Sequence, residues 1–312
     1  MSAVRRHAGV GVLLNPSMQR FLSQFLDRLD HVAVIPDRGW IDHGDDSPAR
    51  FQVLPGVATL LDSVARKRPV VLHGIGLSIC SAEIFDETYA QNLIDWAERL
   101  DAPWISEHLS FSRVGTTHEL NAAIMLPVPY DRDVLELVIP RVRFFTERLN
   151  RPFLLENNVY YFRYREQELA EEEFLNELCF RSGCGVLLDL HNLYTNSVNH
   201  GFSAIEFLGN LDLANVTEIH VAGGAEMMGY HTDSHTGPVL EPVWGFLEHV
   251  LPLANNLQGV TFEFHESSFE RLGDSGILEQ VERARALVEV CHASPGGGVR
   301  CRYSRFNGPL LI

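Results

Sequence analysis

Short apolar runs that each end in a polar residue recur along the chain. The run Gly185–Asp189 is too short and too aliphatic for a helix, and His191 and Asn192 follow it closely. Runs of the same kind occupy Val70–His73, Trp104–His108, Phe153–Glu156, Glu218–His220 and Val260–Glu263. The pattern predicts buried strands whose last residues carry imidazoles and carboxylates.

Helical periodicity fills the intervals between these strands. Predicted helices cover residues 18–29, 57–66, 89–100, 131–149, 171–181, 204–211, 243–254 and 276–291. Predicted strands cover residues 9–14, 31–35, 69–73, 104–108, 153–156, 185–189, 217–221 and 259–263. Eight alternating strand–helix units imply parallel strands with right-handed crossovers, and eight is the number of a (β/α)8 TIM barrel.

A doubly wound open sheet is the alternative α/β architecture. Such a sheet often carries a glycine-rich phosphate-binding turn after its first strand, and this chain has no GxGxxG or P-loop motif there. The 312 residues exceed the length of a typical barrel, and the surplus falls in the predicted loops 109–129 and 222–242. We therefore predict one catalytic barrel over residues 9–292 and a flexible tail over residues 293–312.

The composition narrows the class of ligand and the setting. The 41 acidic and 25 basic residues give a formal net charge of -16, which argues against nucleic acid as a partner. The five cysteines are scattered without a CxxC pair, so we expect a reducing, cytoplasmic setting. No stretch approaches the roughly 20 apolar residues of a membrane span, so we predict no membrane insertion.

The polar strand ends form the candidate site. In a parallel barrel the C-terminal ends of all strands converge on one face, where residues distant in sequence become neighbours. Imidazoles and carboxylates lie at six successive strand ends and in the loop after the seventh strand: His73, His108, Glu156, Asp189, His220, Glu263, His231, Asp233 and His235. These donors outnumber the four to six ligands of one ion, so they predict two or three metals. Bound metals would also relieve the repulsion among buried acidic side chains.

Ordered motifs along the chain carry a family resemblance. They are LHGIGLSI at 72–79, SEHL at 106–109, LLEN at 154–157, LLD at 187–189, NHG at 199–201, EIHVAG at 218–223, DSH at 233–235 and PVW at 242–244. Together they cover most of the chain from Gly9 to Cys291. They resemble the DUF692 family, the multinuclear non-heme iron-dependent oxidative enzymes, which include the methanobactin-biosynthesis oxidase and fall within the xylose-isomerase-like superfamily.

The resemblance implies a TIM barrel that holds two or three irons, as mixed Fe(II) and Fe(III), with O2 as co-substrate. It also implies that the enzyme modifies one residue of a ribosomally made precursor peptide, a cysteine in the better-known members. A small partner protein that binds the leader of the precursor is implied as well. The expected activity is therefore that of an O2-dependent oxidoreductase in natural-product biosynthesis.

Residue by residue, the resemblance implies nine metal ligands: His73, His108, Glu156, Asp189, Asn192, His220, Asp233, His235 and Glu263. Strand alternation favours His191 rather than Asn192 as the partner of Asp189, whereas the spacing in the superfamily favours Asn192. His191 and His265 are candidate proton carriers. The family usually has Asn at the position of His191 and Trp-Asp near His265, so the modified substrate residue stays open.

Three other functions fit part of the pattern. A trinuclear zinc phosphodiesterase of the endonuclease IV type would use similar donors, but the acidity and the lack of a basic DNA-facing run count against it. A metal-dependent sugar isomerase lacks an evident catalytic lysine. A non-catalytic metal-binding adaptor would only hold a partner, and O2 consumption with the precursor peptide distinguishes an oxidase from it.

Overall fold

Eight parallel strands close into a barrel in the computed structural model, which describes residues 9–115 and 121–293. Each strand pairs with its neighbours in sequence, and the last pairs with the first. In chain order they are β1 (Gly9–Leu13), β2 (His31–Val34), β3 (Val70–Gly74), β4 (Ile105–His108), β5 (Phe153–Glu156), β6 (Gly185–Asp189), β7 (Val216–Ala222) and β8 (Gly259–Glu263). The predicted (β/α)8 barrel is thereby confirmed.

Helices cover the outside of this barrel. They are α1 (Gln19–Phe25), α2 (Pro55–Ala65), α3 (Glu87–Leu100), α4 (Arg132–Thr146), α5 (Glu171–Ser182), α6 (Leu190–His200), α7 (Ala204–Asn210), α8 (Glu241–Val250) and α9 (Phe269–Ala293). The first ends earlier than predicted because a 3-10 turn follows over Leu26–Arg28. The last starts earlier than predicted and is interrupted at Gly273, whose φ of +60° is left-handed.

The helix α6 is an element that the hydrophobic pattern does not predict. It begins directly where β6 ends, and the Asp189 carboxylate caps it by accepting a hydrogen bond from the backbone N–H of Asn192. Its sequence, LHNLYTNSVNH, is too rich in polar residues to show a clear apolar stripe. As a result His191 and Asn192 occupy the first turn of a helix rather than the end of a strand.

Antiparallel strand pairs form within the segments that follow strands of the barrel. Within the described residues they pair Trp40–Asp42 with Phe51–Val53, Phe111–Arg113 with Asn121–Leu126, and Ala225–Met227 with Tyr230–Thr232. The second and third lie in the segments 109–129 and 222–242, which the sequence predicts as loops. Most of these strands have only three residues, too few for alternation to stand out.

The barrel interior has an apolar floor and a polar upper layer. Because side chains alternate along a strand, Val71, Leu154 and Leu187 face inward two residues before the polar strand ends. The register of neighbouring strands then brings polar side chains at the strand ends to the same height along the barrel axis. For example, His108 of β4 pairs with Glu156 of β5. The buried floor consists of Ala33, Val71, Trp104, Leu154 and Leu187. The candidate ligands therefore lie at the C-terminal face, as in other TIM barrels, and the buried polar side chains of Glu218 and Thr261 lie one layer below them beside the apolar floor.

The predicted tail lies outside the described residues apart from Ala293, which ends α9. Within the described residues, no helix combines the length and the apolar character that crossing a membrane requires.

Candidate metal centre

The nine predicted metal ligands come together at the C-terminal end of the barrel. Seven of them form four overlapping groups in which the ligand atoms lie within 4.8 Å of one another. The groups are His73–His220–Glu263, His73–His108–Glu156, Glu156–Asp189–His220 and Asp189–His235–Glu263. Asn192 and Asp233 adjoin these groups. Because the groups share members, the nine side chains form one continuous site, which we call the donor ring.

On one side of the donor ring, two imidazoles converge on a single carboxylate oxygen. Glu156 Oε2 is 3.1 Å from His108 Nε2 and 3.4 Å from His73 Nε2. The opposite ring nitrogens are already engaged, because His73 Nδ1 is 2.9 Å from Ser106 Oγ and His108 Nδ1 is 3.1 Å from the carbonyl oxygen of Gly74. These contacts orient both Nε2 atoms towards the ring, as outer hydrogen bonds do for metal-binding histidines.

On the other side, Glu263 lies between two imidazoles. Its Oε1 is 3.0 Å from His220 Nδ1, and its Oε2 is 3.2 Å from His235 Nε2. His235 Nε2 is also 3.0 Å from Asp233 Oδ1. The backbone of His235 is left-handed, with a φ of +49°, which is uncommon for a residue with a side chain and is often found at functional sites.

The turn from β6 into α6 supplies Asp189 and Asn192. Asp189 uses Oδ1 for the helix cap, and its Oδ2 is buried without a hydrogen-bond partner among the described residues. The amide of Asn192 donates to Glu156 Oε1 at 3.3 Å and to the carbonyl of Asn157 at 3.1 Å. Its Oδ1 is therefore left as a buried acceptor without a described partner, the atom that a metal would use.

His191 and His265 lie on the margin of the donor ring. His191 is buried, but its Nε2 is 3.8 Å from Asp233 Oδ1 and 3.4 Å from the carbonyl of Thr232. His265 is exposed, and its Nδ1 is 2.8 Å from Ser267 Oγ. The structure thus brings Asn192 beside Glu156, and leaves His191 near Asp233 and His265 at the entrance. His231, whose backbone bonds to the Asn199 side chain, lies in none of the metal-binding groups.

Unsatisfied oxygens test whether metal ions fit this arrangement. Five donor-ring oxygens are buried without a hydrogen-bond partner in the described part of the chain: Glu156 Oε2, Asp189 Oδ2, Asn192 Oδ1, Asp233 Oδ1 and Glu263 Oε1. The nearby imidazole nitrogens approach without hydrogen-bond geometry. Burying so many unpaired oxygens is costly, and cations among them would remove the cost. Mixed imidazole and carboxylate donors suit iron, zinc and related ions.

The electrostatics of the metal-free ring lead to the same conclusion. Burial raises the pKa of Glu156 to about 7, and it raises the pKa of Asp189 well above its usual range with help from neighbouring carboxylates. Burial and two neighbouring imidazoles lower the pKa of His73 well below its usual range. Burial also lowers the pKa of His108, but the carboxylates of Glu156 and Glu107 and the carbonyl of Gly74 together outweigh it, and the pKa rises to about 9. Without metal, protons must therefore compensate the carboxylates.

Glu218 is a further buried carboxylate, outside the donor ring, that contacts His220 from the barrel interior. It was not identified from the sequence as a site residue. Its Oε1 is 3.2 Å from His220 Nε2 and accepts a hydrogen bond from Thr261 Oγ1 at 2.6 Å. Its Oε2 accepts from Trp104 Nε1 at 2.6 Å. A histidine held by a buried carboxylate is a common support for a metal ligand. Period-two alternation places residues 218 and 220 on one face of β7, which is the signal that could have identified it.

Comparisons with known proteins agree with this geometry. A family model described as "RiPP precursor modification enzyme MbnB/TglH/ChrH" matches residues 9–288, where RiPP denotes a ribosomally made, modified peptide. A UPF0276 protein of Caulobacter vibrioides is 33% identical over 241 residues, covering 77% of this chain and 81% of the relative. A UPF0276 protein of Bordetella pertussis is 36% identical over 225 residues, covering 70% and 75%.

Solved structures show the same fold at low sequence identity. Endonuclease IV from Thermus thermophilus superposes with a TM-score of 0.55 at 16% identity, covering 90% of this chain and 99% of that one. A putative xylose isomerase from Rhodospirillum rubrum gives 0.55 at 13% identity, covering 89% and 99%. The chain therefore belongs to the MbnB/TglH/ChrH family of RiPP precursor modification enzymes, the DUF692 family, and has a xylose-isomerase-like TIM barrel.

Proposed function

We propose that this protein is a multinuclear non-heme iron oxidase that uses O2 to modify one residue, first of all a cysteine, of a ribosomally synthesised precursor peptide. One observation carries the proposal. The donor ring is continuous, contains five buried oxygens without described hydrogen-bond partners, and offers nine donor side chains, more than the four to six ligands of a single ion. Membership of a peptide-modifying family supports a peptide as the substrate.

Two or three irons would be held by shared ligands. Glu156 and Glu263 each face two imidazoles, so each is suited to contact more than one ion. Bound iron would supply the redox chemistry with O2 that no protein side chain offers. The protein's own part is to hold the ions through the nine ring residues and to fix the imidazoles through partners such as Glu218.

The substrate side chain would enter through a cavity of about 180 Å³ above the ring. Ile75, Met125 and Phe264 give this cavity apolar walls, which exclude water from an approaching side chain. His265 also lines it and is the candidate proton carrier at the entrance, whereas His191 is the inner candidate beside Asp233. The two histidines thus have different access to solvent.

A small partner protein that binds the precursor's leader is part of the proposal. The hairpins beside the barrel mouth expose large apolar side chains, which is typical of protein-binding surfaces. Met228 is 93% exposed at the turn after Ala225–Met227, and Ile124 is 62% exposed on the hairpin strand Asn121–Leu126. We expect the partner to cover these hairpins and to deliver the peptide to the nearby cavity.

Metal analysis of protein purified without oxygen tests this function. We expect two or three irons per chain, with Mössbauer and EPR spectra of a mixed-valent cluster, and O2 consumption that requires the precursor peptide encoded near this gene. Zinc as the sole tightly bound metal, with phosphodiesterase activity, would instead support an enzyme of the endonuclease IV type. Bound metal without peptide-dependent O2 consumption would support a non-catalytic adaptor.

A further inference from the structure

A second cavity, of about 230 Å³, lies on the same face of the barrel but contains none of the donor-ring residues. Its walls come from the segments that follow β4, β5 and β6. Aromatic side chains dominate the lining: Tyr130, Tyr160, Phe162, Tyr164, Phe202 and Phe207. At roughly 30 Å³ per liquid water, the space holds several waters or the end of one long side chain. We call it the aromatic cavity.

A buried carboxylate points to the chemistry of the ligand. Glu171, the first residue of α5, lines the aromatic cavity and is only 8% exposed. Its Oε1 has no hydrogen-bond partner within residues 9–115 and 121–293. Glu172 and Glu206 line the same cavity, and Arg163 is the single basic residue among its described lining residues. The hydroxyl groups of Tyr130 and Tyr160 interact with the Glu171 carboxylate, and Oε1 is the oxygen that lacks a bonded donor. The cavity therefore has three carboxyl groups against one guanidinium group, and one of these carboxyl groups is buried.

We propose that the aromatic cavity binds an organic cation, the ammonium or guanidinium group of a lysine or arginine side chain in the precursor peptide. Aromatic faces attract cations, and a buried carboxylate completes the site with a charged hydrogen bond. An anion would meet the carboxylates and be repelled. The peptide origin of the cation rests on the proposed function, whereas the cation-binding chemistry does not.

The helix α6 connects this cavity to the donor ring. Asn192 donates to Glu156 in the ring, and one turn later Asn196 accepts a hydrogen bond from the backbone N–H of Tyr160 at 2.9 Å. A further turn on, His200 Nε2 is 2.9 Å from the carbonyl of Tyr160, and the two rings stack. Eight residues of helix span about 12 Å. An extended peptide covers that distance with about four residues.

Blocked amino acids test cation binding on the full-length protein without any need for turnover. The probes are the Nα-acetyl, N-methylamide derivatives of lysine, arginine and norleucine, together with n-butylammonium, and NMR titration measures their affinities. We expect lysine or arginine to bind at least about tenfold more tightly than norleucine, which has a similar shape without the charge. Glu171→Gln should remove that preference, whereas Glu226→Gln, in the exposed hairpin strand Ala225–Met227, should retain it.

The outcomes separate this proposal from the iron chemistry. Equal binding of lysine and norleucine by the unaltered protein would overturn it, and so would full lysine affinity in Glu171→Gln. n-Butylammonium has the same end as the lysine side chain and should bind about as tightly as blocked lysine. If it binds much more tightly than blocked lysine, the cavity excludes the peptide backbone and serves a free amine, and the peptide assignment is wrong. Iron content should stay unchanged in Glu171→Gln, so a failure of the oxidase proposal and a failure of cation binding are seen in different measurements.

Discussion

The donor ring and a cluster around Arg50 both contain carboxylates, but the partners of these groups differ. In the Arg50 cluster Asp86 is buried and Asp42 lies at the surface. Arg50 donates two hydrogen bonds to Asp42, both at 2.9 Å, and two to Asp86, at 2.9 and 2.7 Å. Arg113 adds a contact to Asp86 at 3.2 Å. These guanidinium groups join the hairpin that contains residues 40–53 to the start of α3. In the donor ring, in contrast, the described partners of the carboxylates are imidazoles and the side-chain and backbone amides of Asn192.

The pKa values express the same contrast. Partial desolvation raises the pKa of the surface residue Asp42, but the hydrogen bonds and charge of Arg50, together with the backbone N–H of Gly44, outweigh it, so the pKa lies below its usual range. In the donor ring, burial raises the pKa of Glu156 to about 7. A buried carboxylate that a guanidinium satisfies is thus structural, whereas one with an unsatisfied oxygen is available to a ligand. This difference can be tested by altering each cluster in turn.

Removing a ring ligand should have the largest effect. We expect His73→Ala and Asp233→Ala each to weaken iron binding by more than about 100-fold and to abolish peptide-dependent O2 consumption, because both remove a donor. Metal content after anaerobic dialysis measures the change. The control is His43→Ala, an exposed histidine of the loop between the hairpin strands Trp40–Asp42 and Phe51–Val53. Unchanged metal content in either variant would show that the altered residue is not a metal ligand.

The converse experiment disrupts the Arg50 cluster. Arg50→Met should destabilise the protein by about 3–5 kcal/mol, because it leaves buried Asp86 without one of its guanidinium partners. The midpoint of thermal or denaturant unfolding would fall, while iron per folded chain would stay unchanged. Arg28→Met is the matched control, since its contact with Glu282 is exposed and is worth less than about 1 kcal/mol. Loss of iron from folded Arg50→Met protein would contradict the division into structural and binding clusters.

A smaller effect is expected below the ring. Glu218→Gln keeps the shape of the side chain but removes the charge beside His220, so iron affinity should fall by about 10- to 100-fold with the fold retained. Thr261→Val removes one hydrogen bond to Glu218, together with the contact of Thr261 Oγ1 with His31 Nε2, but keeps the Glu218 charge beside His220, so it should reduce the iron affinity less. Competition with a calibrated chelator measures both affinities. An unchanged affinity in Glu218→Gln would assign this carboxylate to packing alone.

The sequence predicts the barrel and the proximity of the imidazoles and carboxylates at its strand ends, because both depend on regular periodicity. Their role as metal donors stays a prediction. In a parallel barrel all strands run in the same direction, so their C-terminal ends lie on one face. His73, Glu156 and Asp189 end such strands and therefore lie together on that face. The conformation of the turn after β6 is harder to predict from the sequence. Strand alternation would have continued through His191, but the Asp189 cap starts a helix at once and rotates Asn192 towards Glu156 instead.

The Arg50 cluster and the aromatic cavity depend on contacts between segments that are distant in sequence, so no local sequence pattern predicts them. Nothing in the sequence around Arg50 or Asp86 shows that they meet, since 36 residues, including α2 and β3, separate them. The aromatic cavity is likewise assembled from three loops. Its key residue, Glu171, reads in sequence as an ordinary acidic residue in the first turn of a helix. Only packing reveals that its carboxylate is buried.

Glu171 extends the comparison to a single unsatisfied carboxylate away from the ring. Burial raises its pKa to about 7, so the folded protein binds a proton that the unfolded chain releases at its ordinary pKa of 4.5. This stability is fully present below about pH 4.5 and is lost as the pH rises through 7. Glu171→Gln cannot ionise, so it should match the unaltered protein near pH 5 and be more stable by about 1–3 kcal/mol at pH 8. Unfolding midpoints across this pH range measure the difference, and a constant difference at every pH would mean that the carboxylate is already satisfied.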